Sequence, residues 1–351
     1  MIVFSRLFNR KRRKIVYLHD GADWALEWVA KGIAKHLHHN GCFDFRIATS
    51  LDKLAPGSIV HFGNRYDFFQ HDPVMIGNRF RAVITWLHGQ YNSEEFHDLF
   101  QRLKASIPYV AMIVTSCRES EIELVQAGIP KEKIVVIPLG VDLELFNAVE
   151  RVNIRPIARG DLGFSDADFV VGSFQKDGSG WGDGMEPKFV KGPDILVQVL
   201  DELNKKIPNL KVLLTGPSRG YVKKELDSRG IRWIHRLVDR YQEMPVYYSA
   251  LDAYLICSRV EGGPLSLPES WAMQVPLVSS RMGMPRDWIE NGKNGFVYEA
   301  TDIMEMAERL AAIAADRDSV RSIVETALAD VRALDWGTIA SQYVNEVYLK
   351  V

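Results

Sequence analysis

The chain predicts an α/β fold of more than one domain, and three observations carry that prediction. Short runs of β-branched and aromatic residues alternate with longer stretches whose apolar residues recur at helical spacing. That alternation is the pattern of parallel sheets with crossover helices. Polar or glycine breaks follow the strand-like runs, so ligands are expected beyond the carboxyl ends of the strands. The whole pattern restarts near residue 169, and 351 residues is length enough for two or three domains.

In order, residues 14–19 (KIVYLH) read as a first buried strand and 24–38 as a helix. Residues 45–48, 58–62, 82–87 and 110–116 read as further strands, with a helix over 118–127. Three strand-end loops stand out: HDGADW, which holds Gly21, then HFGNRYD, then His88-Gly89. Residues 146–165 contain Pro156, Gly160 and Gly163 and read as irregular, so the domain boundary is placed there, with domains over 1–150 and 151–333. FVVGSF at 169–174 opens the second unit, followed by a stretch with glycine at 178, 180, 182 and 184. That stretch is expected to be a flexible surface loop, with a lid over a ligand as the alternative. Strands follow at 211–215, 231–235 and 251–257, then a turn at 291–295 and the strand GFVYE. Amphipathic helices are expected over 302–315 and 318–333, and a last helix over 334–351.

Composition is that of an ordinary soluble chain, with 47% hydrophobic and 25% charged residues. A net charge of −2 implies no nucleic-acid partner. Cys42, Cys117 and Cys257 lie far apart in or beside apolar runs, which suits core thiols in a reducing compartment. No apolar run is long enough to span a bilayer. A cytoplasmic location is therefore expected, peripheral at the inner membrane surface in one reading. The basic run from Arg10 to Lys14 reads first as a solvated tail and alternatively as an anchor for an anionic membrane.

Residues 258–276, SRVEGGPLSLPESWAMQVP, organise the rest. They place Glu261 and Glu269 with seven residues between them, after an apolar strand and leading into a helix with Pro268 in its opening turn. Gly262 and Gly263 let a backbone approach a ligand closely, and N–H groups in such a loop suit a phosphate. Lys191 opens another helix, where a cation is electrostatically misplaced unless an anion sits beside it. GPSRG at 216–220 is a further anion-friendly turn, with Arg219 within reach. By spacing alone, all of these could be ordinary strand–helix turns.

The stretch from Ser258 to Glu299 resembles the signature of retaining glycosyltransferases of family 4 (glycosyl transferases group 1), which have the GT-B fold. GIPKEKIVVIPLGVDLELF is similar to the close of that family's amino domain. The resemblance implies two Rossmann-like domains facing across a cleft, with the last helix crossing back onto the first. It implies transfer of a hexose-type sugar from a nucleoside-diphosphate sugar, with uracil favoured over guanine and no other cofactor. It places Glu261 by the reacting sugar and Glu269 on the ribose hydroxyls. Gly263, Pro264 and Leu265 would border sugar and phosphate, Lys191 the diphosphate, and residues 236–241 the base. His88, in WLHGQY, matches a family histidine facing the donor sugar, and Gly21 and Gly216 are expected at the donor as well. One departure is Ser173, which holds the place of a family arginine; Lys176 or Lys188 is available to replace it.

Asp166-Ala167-Asp168 and Asp316-Arg317-Asp318 read as turn and capping residues rather than metal ligands, so metal-independent chemistry is expected. The acceptor — glycan, lipid-linked sugar or small molecule — is not legible. Two alternatives stay open. One is a glycoside hydrolase using Glu261 and Glu269 as acid and base. The other is a non-catalytic module that binds a nucleotide or a partner.

Overall fold

The computed structural model of the chain describes residues 12–21, 25–37 and 43–351. Cys42, and Arg10 and Lys11 of the basic N-terminal run, lie outside them. The chain divides into two compact units, Met1–Gly140 with Trp336–Val351, and Val141–Asp335.

Among the described residues, the first unit is built on six strands: β1 (Arg13–Leu18), β2 (Phe43–Ala48), β3 (Ile59–Phe62), β4 (Arg81–Thr85), β5 (Val110–Thr115) and β6 (Ile134–Val136). All pairs are parallel, in the order β2-β1-β3-β4-β5-β6. The order turns back at β1, which lies between β2 and β3. Val60, Phe62, Ile84, Trp86 and Ile113 form the core of this unit.

The closing segment, Trp336–Val351, is part of the same unit. Gly32 of the helix Ala25–Leu37 lets Trp336 lie against the helix backbone, since a Cβ there would stand 2.4 Å from the indole. Tyr348 donates or accepts at 2.8 Å with Nδ1 of the fully buried His61, whose Nε2 meets Thr85 Oγ1 at 2.9 Å. Burial pushes the His61 imidazole down to about 3, so it stays neutral in this network. Arg13 fastens the end of the chain by donating to the carbonyls of Tyr348 and Val351.

The second unit repeats the plan with β7 (Phe169–Phe174), β8 (Leu210–Thr215), β9 (Trp233–Arg236), β10 (Ala253–Ile256), β11 (Leu277–Ser280) and β12 (Phe296–Tyr298). These strands are parallel in the order β12-β11-β10-β7-β8-β9. Here the order reverses between β7 and β10. Both of these strands are buried on both faces, which is why they read as continuous apolar runs rather than as alternation.

Residues 146–165 are not irregular, as expected, but hold the helix Ala148–Asp161 with Pro156 inside it. An interior proline costs a helix about 3 kcal/mol. Tertiary contacts offset that cost: Arg151, Arg155 and Arg159, one turn apart on one face, donate to the carbonyls of Ser249, Ala250, Leu251 and Gln274. The glycine-rich stretch is pinned rather than loose. Ser218 Oγ donates to Gly180 and Gly182, Gly220 N–H to Asp183, and Tyr221 N–H to Gly184. The expected helix over 318–333 is broken into the short turn Arg317–Val320, the helix Arg321–Asp330 and the turn Val331–Leu334.

Among the described residues no helix is long and apolar enough to cross a membrane. Cys117 and Cys257 are buried and form no disulfide with each other.

Candidate active site

In open parallel sheets, ligands bind where the strand order reverses, beyond the carboxyl ends of the strands. In the second unit that point lies between β7 and β10. The loops leaving these two strands carry Lys191 and Glu261.

Backbone contacts bring them together. The N–H groups of Arg259 and Val260 both donate to the Val190 carbonyl, at 2.9 and 3.1 Å. Arg259 also clamps Asp194 and the Phe189 carbonyl, with distances of 2.6 to 2.8 Å. Gly192 adopts the left-handed conformation at φ 62°, immediately before the helix Pro193–Asn204. A Cβ on it would stand 1.8 Å from the Cys257 carbonyl oxygen. The Lys191 ammonium consequently donates to Glu261 Oε2, with both side chains only partly exposed.

The loop after β10 is braced from behind by the loop after β11. Met284 N–H donates to the Gly262 carbonyl at 2.8 Å, and Ser280 Oγ to the Ser258 carbonyl at 2.6 Å. Gly283, at φ 48°, comes so close that a Cβ would lie 2.1 Å from the Glu261 carbonyl. Gly262 and Gly263 are buried, and Pro264 and Leu265 are half-buried, leading into the wholly buried helix Ser266–Ala272.

Glu269 sits in that helix and is 4% exposed. Its two oxygens each accept one phenol: Tyr241 at 2.6 Å and Tyr248 at 2.7 Å. Burial raises its carboxyl to about 7, opposed by those two hydrogen bonds. A carboxylate has about four acceptor positions, so each oxygen keeps one for a further donor. The sequence marks neither tyrosine as a carboxylate partner: Tyr241 ends the stretch expected at the base, and MPVYYS, which holds Tyr248, carries no spacing that separates such a partner from a core aromatic.

Gly216 follows β8, and its carbonyl meets His235 Nε2 at 2.8 Å. Arg219 differs from a cation within reach of a ligand. It is 1% exposed, pairs with Asp177 at 3.0 Å, and donates to the carbonyls of Ser173, Gln175 and Thr215. Its guanidinium thus lies against Ser173 but is occupied in holding three loops together. Lys176 lies 3.7 Å over the Trp181 ring, and its pKa is lowered by burial first and by the nearby Lys188 second. Asp168 accepts from Ser165, and Asp316 from the N–H groups of Asp318 and Ser319, as turn and capping residues do.

Gly21 and His88 belong to the first unit. Gly21 N–H donates to His19 Nδ1 at 3.2 Å. His88 is half-buried after β4, its ring edge-on to Phe96 at 5.8 Å and its carbonyl accepting from Arg65.

Two parallel α/β units, the second with a lysine and two glutamates at its switch point, define a protein of the GT-B class. Residues 187–329, all within the second unit, match the family model of glycosyl transferases group 1. A D-inositol 3-phosphate glycosyltransferase of Xylanimonas cellulosilytica is 27% identical over 244 residues, which are 66% of this chain and 55% of that one. The chain spans about half the length of the curated relatives it matches. Among solved structures, HepE of Anabaena in complex with UDP and glucose superposes with a TM-score of 0.72 at 19% identity, covering 95% of this chain and 98% of that one. Sucrose-phosphate synthase of Thermosynechococcus elongatus gives a TM-score of 0.76 at 17% identity, covering 97% and 99%. At these identities the structural matches establish the fold.

Proposed function

We propose that this chain is a retaining, metal-independent glycosyltransferase that moves a hexose from a nucleoside-diphosphate sugar to an acceptor. The observation that carries this reading is the Lys191–Glu261 pair beside Glu269 at the switch point of the second sheet, inside the residues that match the family. A diphosphate competes for the Lys191 ammonium and so releases Glu261 to face the sugar. The free acceptor positions of Glu269 take the two ribose hydroxyls. Uracil is favoured over guanine because HepE is described with UDP bound.

Calorimetry with UDP, GDP, ADP and CMP in chelator tests the reading. One diphosphate is expected to bind without metal, and Glu269→Ala to weaken it at least ten-fold. Because ribose hydroxyls donate to the ionised Glu269, whose carboxyl stands at about 7, affinity falls as pH drops below 7. Glu269→Gln is expected to lose that dependence; an unchanged pH profile removes Glu269 from the ribose. His88→Ala is expected to lower turnover by two orders of magnitude or more with little change in nucleotide affinity. Near-normal turnover takes His88 out of the reaction.

A second reading, a nucleotide-binding module without catalysis, is favoured by one observation: Arg219 reaches Ser173 but is buried on Asp177. Nucleotide binding with neither transfer nor donor hydrolysis would select it. Contact with an anionic membrane through the basic N-terminal run is proposed in addition. Liposome sedimentation that is unchanged on deleting residues 1–13 rules it out.

A further inference from the structure

The helix Ala148–Asp161 is amphipathic in the inverted sense. A surface helix normally turns its apolar stripe to the core and its charges to water. Here the side against the protein carries Arg151, Arg155 and Arg159. They donate to the carbonyls of Ser249, Ala250, Leu251 and Gln274 and to the Asp252 carboxylate. The opposite side is apolar. Val149 and Val152 are 73% exposed and Ile157 is 66% exposed, with Asn153, Pro156 and Gly160 exposed beside them. At about 3.6 residues per turn these six positions form one stripe. Exposed apolar residues scattered singly are ordinary, whereas a stripe along a whole helix marks a contact surface. The helix cannot turn its valines inward without parting the guanidinium groups from their acceptors, which would leave buried donors unmatched.

The stripe is complementary to itself. A second copy can lie antiparallel to it about a two-fold axis at the midpoint between Ile154 and Arg155. Val152 then meets the partner's Ile157, Val149 meets the partner's Gly160, and Asn153 meets the partner's Pro156. Every residue of the stripe is matched by another residue of the stripe. Val149 is received by open space, since a Cβ built on Gly160 would meet nothing within 4 Å. Antiparallel helices also set their dipoles in opposition, and the exposed Asp161 comes to the opening turn of the partner helix. The charged residues exposed on this helix, Glu150 and Asp161, are both acidic, so an anionic membrane is repelled.

We propose that the outer face of the helix Ala148–Asp161 is the interface of a weak two-fold dimer of this chain. All of its residues belong to the second unit. The face is about 21 Å long and one helix wide, well short of the ~800 Å² per partner of a stable complex, so the dimer forms only at high concentration. It needs no nucleotide and no donor sugar, and so stands apart from the transferase reading.

Sedimentation velocity on the full chain from about 5 to 500 µM covers the affinities that so small an interface gives. Wild type is expected to pass from monomer to dimer across that range. Val152→Lys and Ile157→Glu should each abolish the dimer, with circular dichroism reporting that both remain folded. Mixing these two variants should restore it. The introduced ammonium then faces the introduced carboxylate, while Ile157 of one chain still meets Val152 of the other. Val152→Lys mixed with Val152→Glu should stay monomeric, because an antiparallel pair does not bring the two positions 152 together. The proposal is overturned by a wild type that stays monomeric throughout, by a dimer undiminished in either single variant, or by a first mixture that fails to associate. Association of the second mixture overturns the antiparallel geometry and the proposal with it. Co-sedimentation with phosphatidylglycerol vesicles that is lost in Ile157→Glu would give the face to a membrane and likewise overturn the dimer.

Discussion

Asp252→Ala is expected to cost about 3–5 kcal/mol of folding stability, the range for breaking a buried ion pair from one side. The Asp252 side chain is 2% exposed and accepts from Arg155 at 2.6 Å, Arg159 at 3.1 Å and the Val170 N–H at 2.8 Å. Arg159 is itself 2% exposed and also donates to the carbonyls of Ala250, Ser165 and Asp168. Removing the carboxylate leaves that guanidinium buried without its counter-charge, and leaves the Val170 N–H of β7 without its acceptor. Urea unfolding measures the loss. Asp194→Ala is the control, because its partner Arg259 has a side chain 40% exposed and water replaces the lost contact. The control should cost less than about 1 kcal/mol. Equal losses in the two variants would show that the arginine cluster is no anchor for the helix Ala148–Asp161.

Gly192→Ala is expected to abolish nucleotide binding and to destabilise the second unit by about 3 kcal/mol, adding backbone strain to a direct clash. The strain comes from φ 62°, and the clash from the Cys257 carbonyl 1.8 Å away from the new Cβ. Relief requires the turn Phe189–Lys191 to move away from β10, which parts Lys191 from Glu261. Gly230→Ala separates the two terms: Gly230 has φ 65° but nothing within 4 Å of its Cβ position. It should lose only about 1 kcal/mol and keep nucleotide affinity. If Gly192→Ala binds nucleotide like wild type, the close approach to Cys257 does not set the site.

Much of the site was legible because its signals are local. Glycines in a loop after a buried strand and a lysine at a helix start are each explained by the backbone within a few residues of them. The strands were legible for the same reason, since a fully buried strand has to be apolar along its length. The readings that failed were those that weighed local propensity against distant partners. Pro156 and two glycines argued against a helix at 148–161, but three arginines docked onto carbonyls about 90 to 120 residues away outweigh them. Four glycines argued for a mobile loop at 178–184, but the turn at 218–221 supplies the donors that hold it.

From the sequence alone came the two-unit α/β plan, the strand-end loops and the residue types at the proposed donor site: Lys191, Glu261 and Glu269. Only the tertiary structure decided which groups those side chains meet. It showed that Tyr241 and Tyr248 hold Glu269 and that Arg219 is a buried brace. The physical reason is that secondary structure answers to neighbours along the chain, whereas the availability of a charge answers to whatever is packed around it. Packing brings together residues whose separation in sequence carries no mark of the contact.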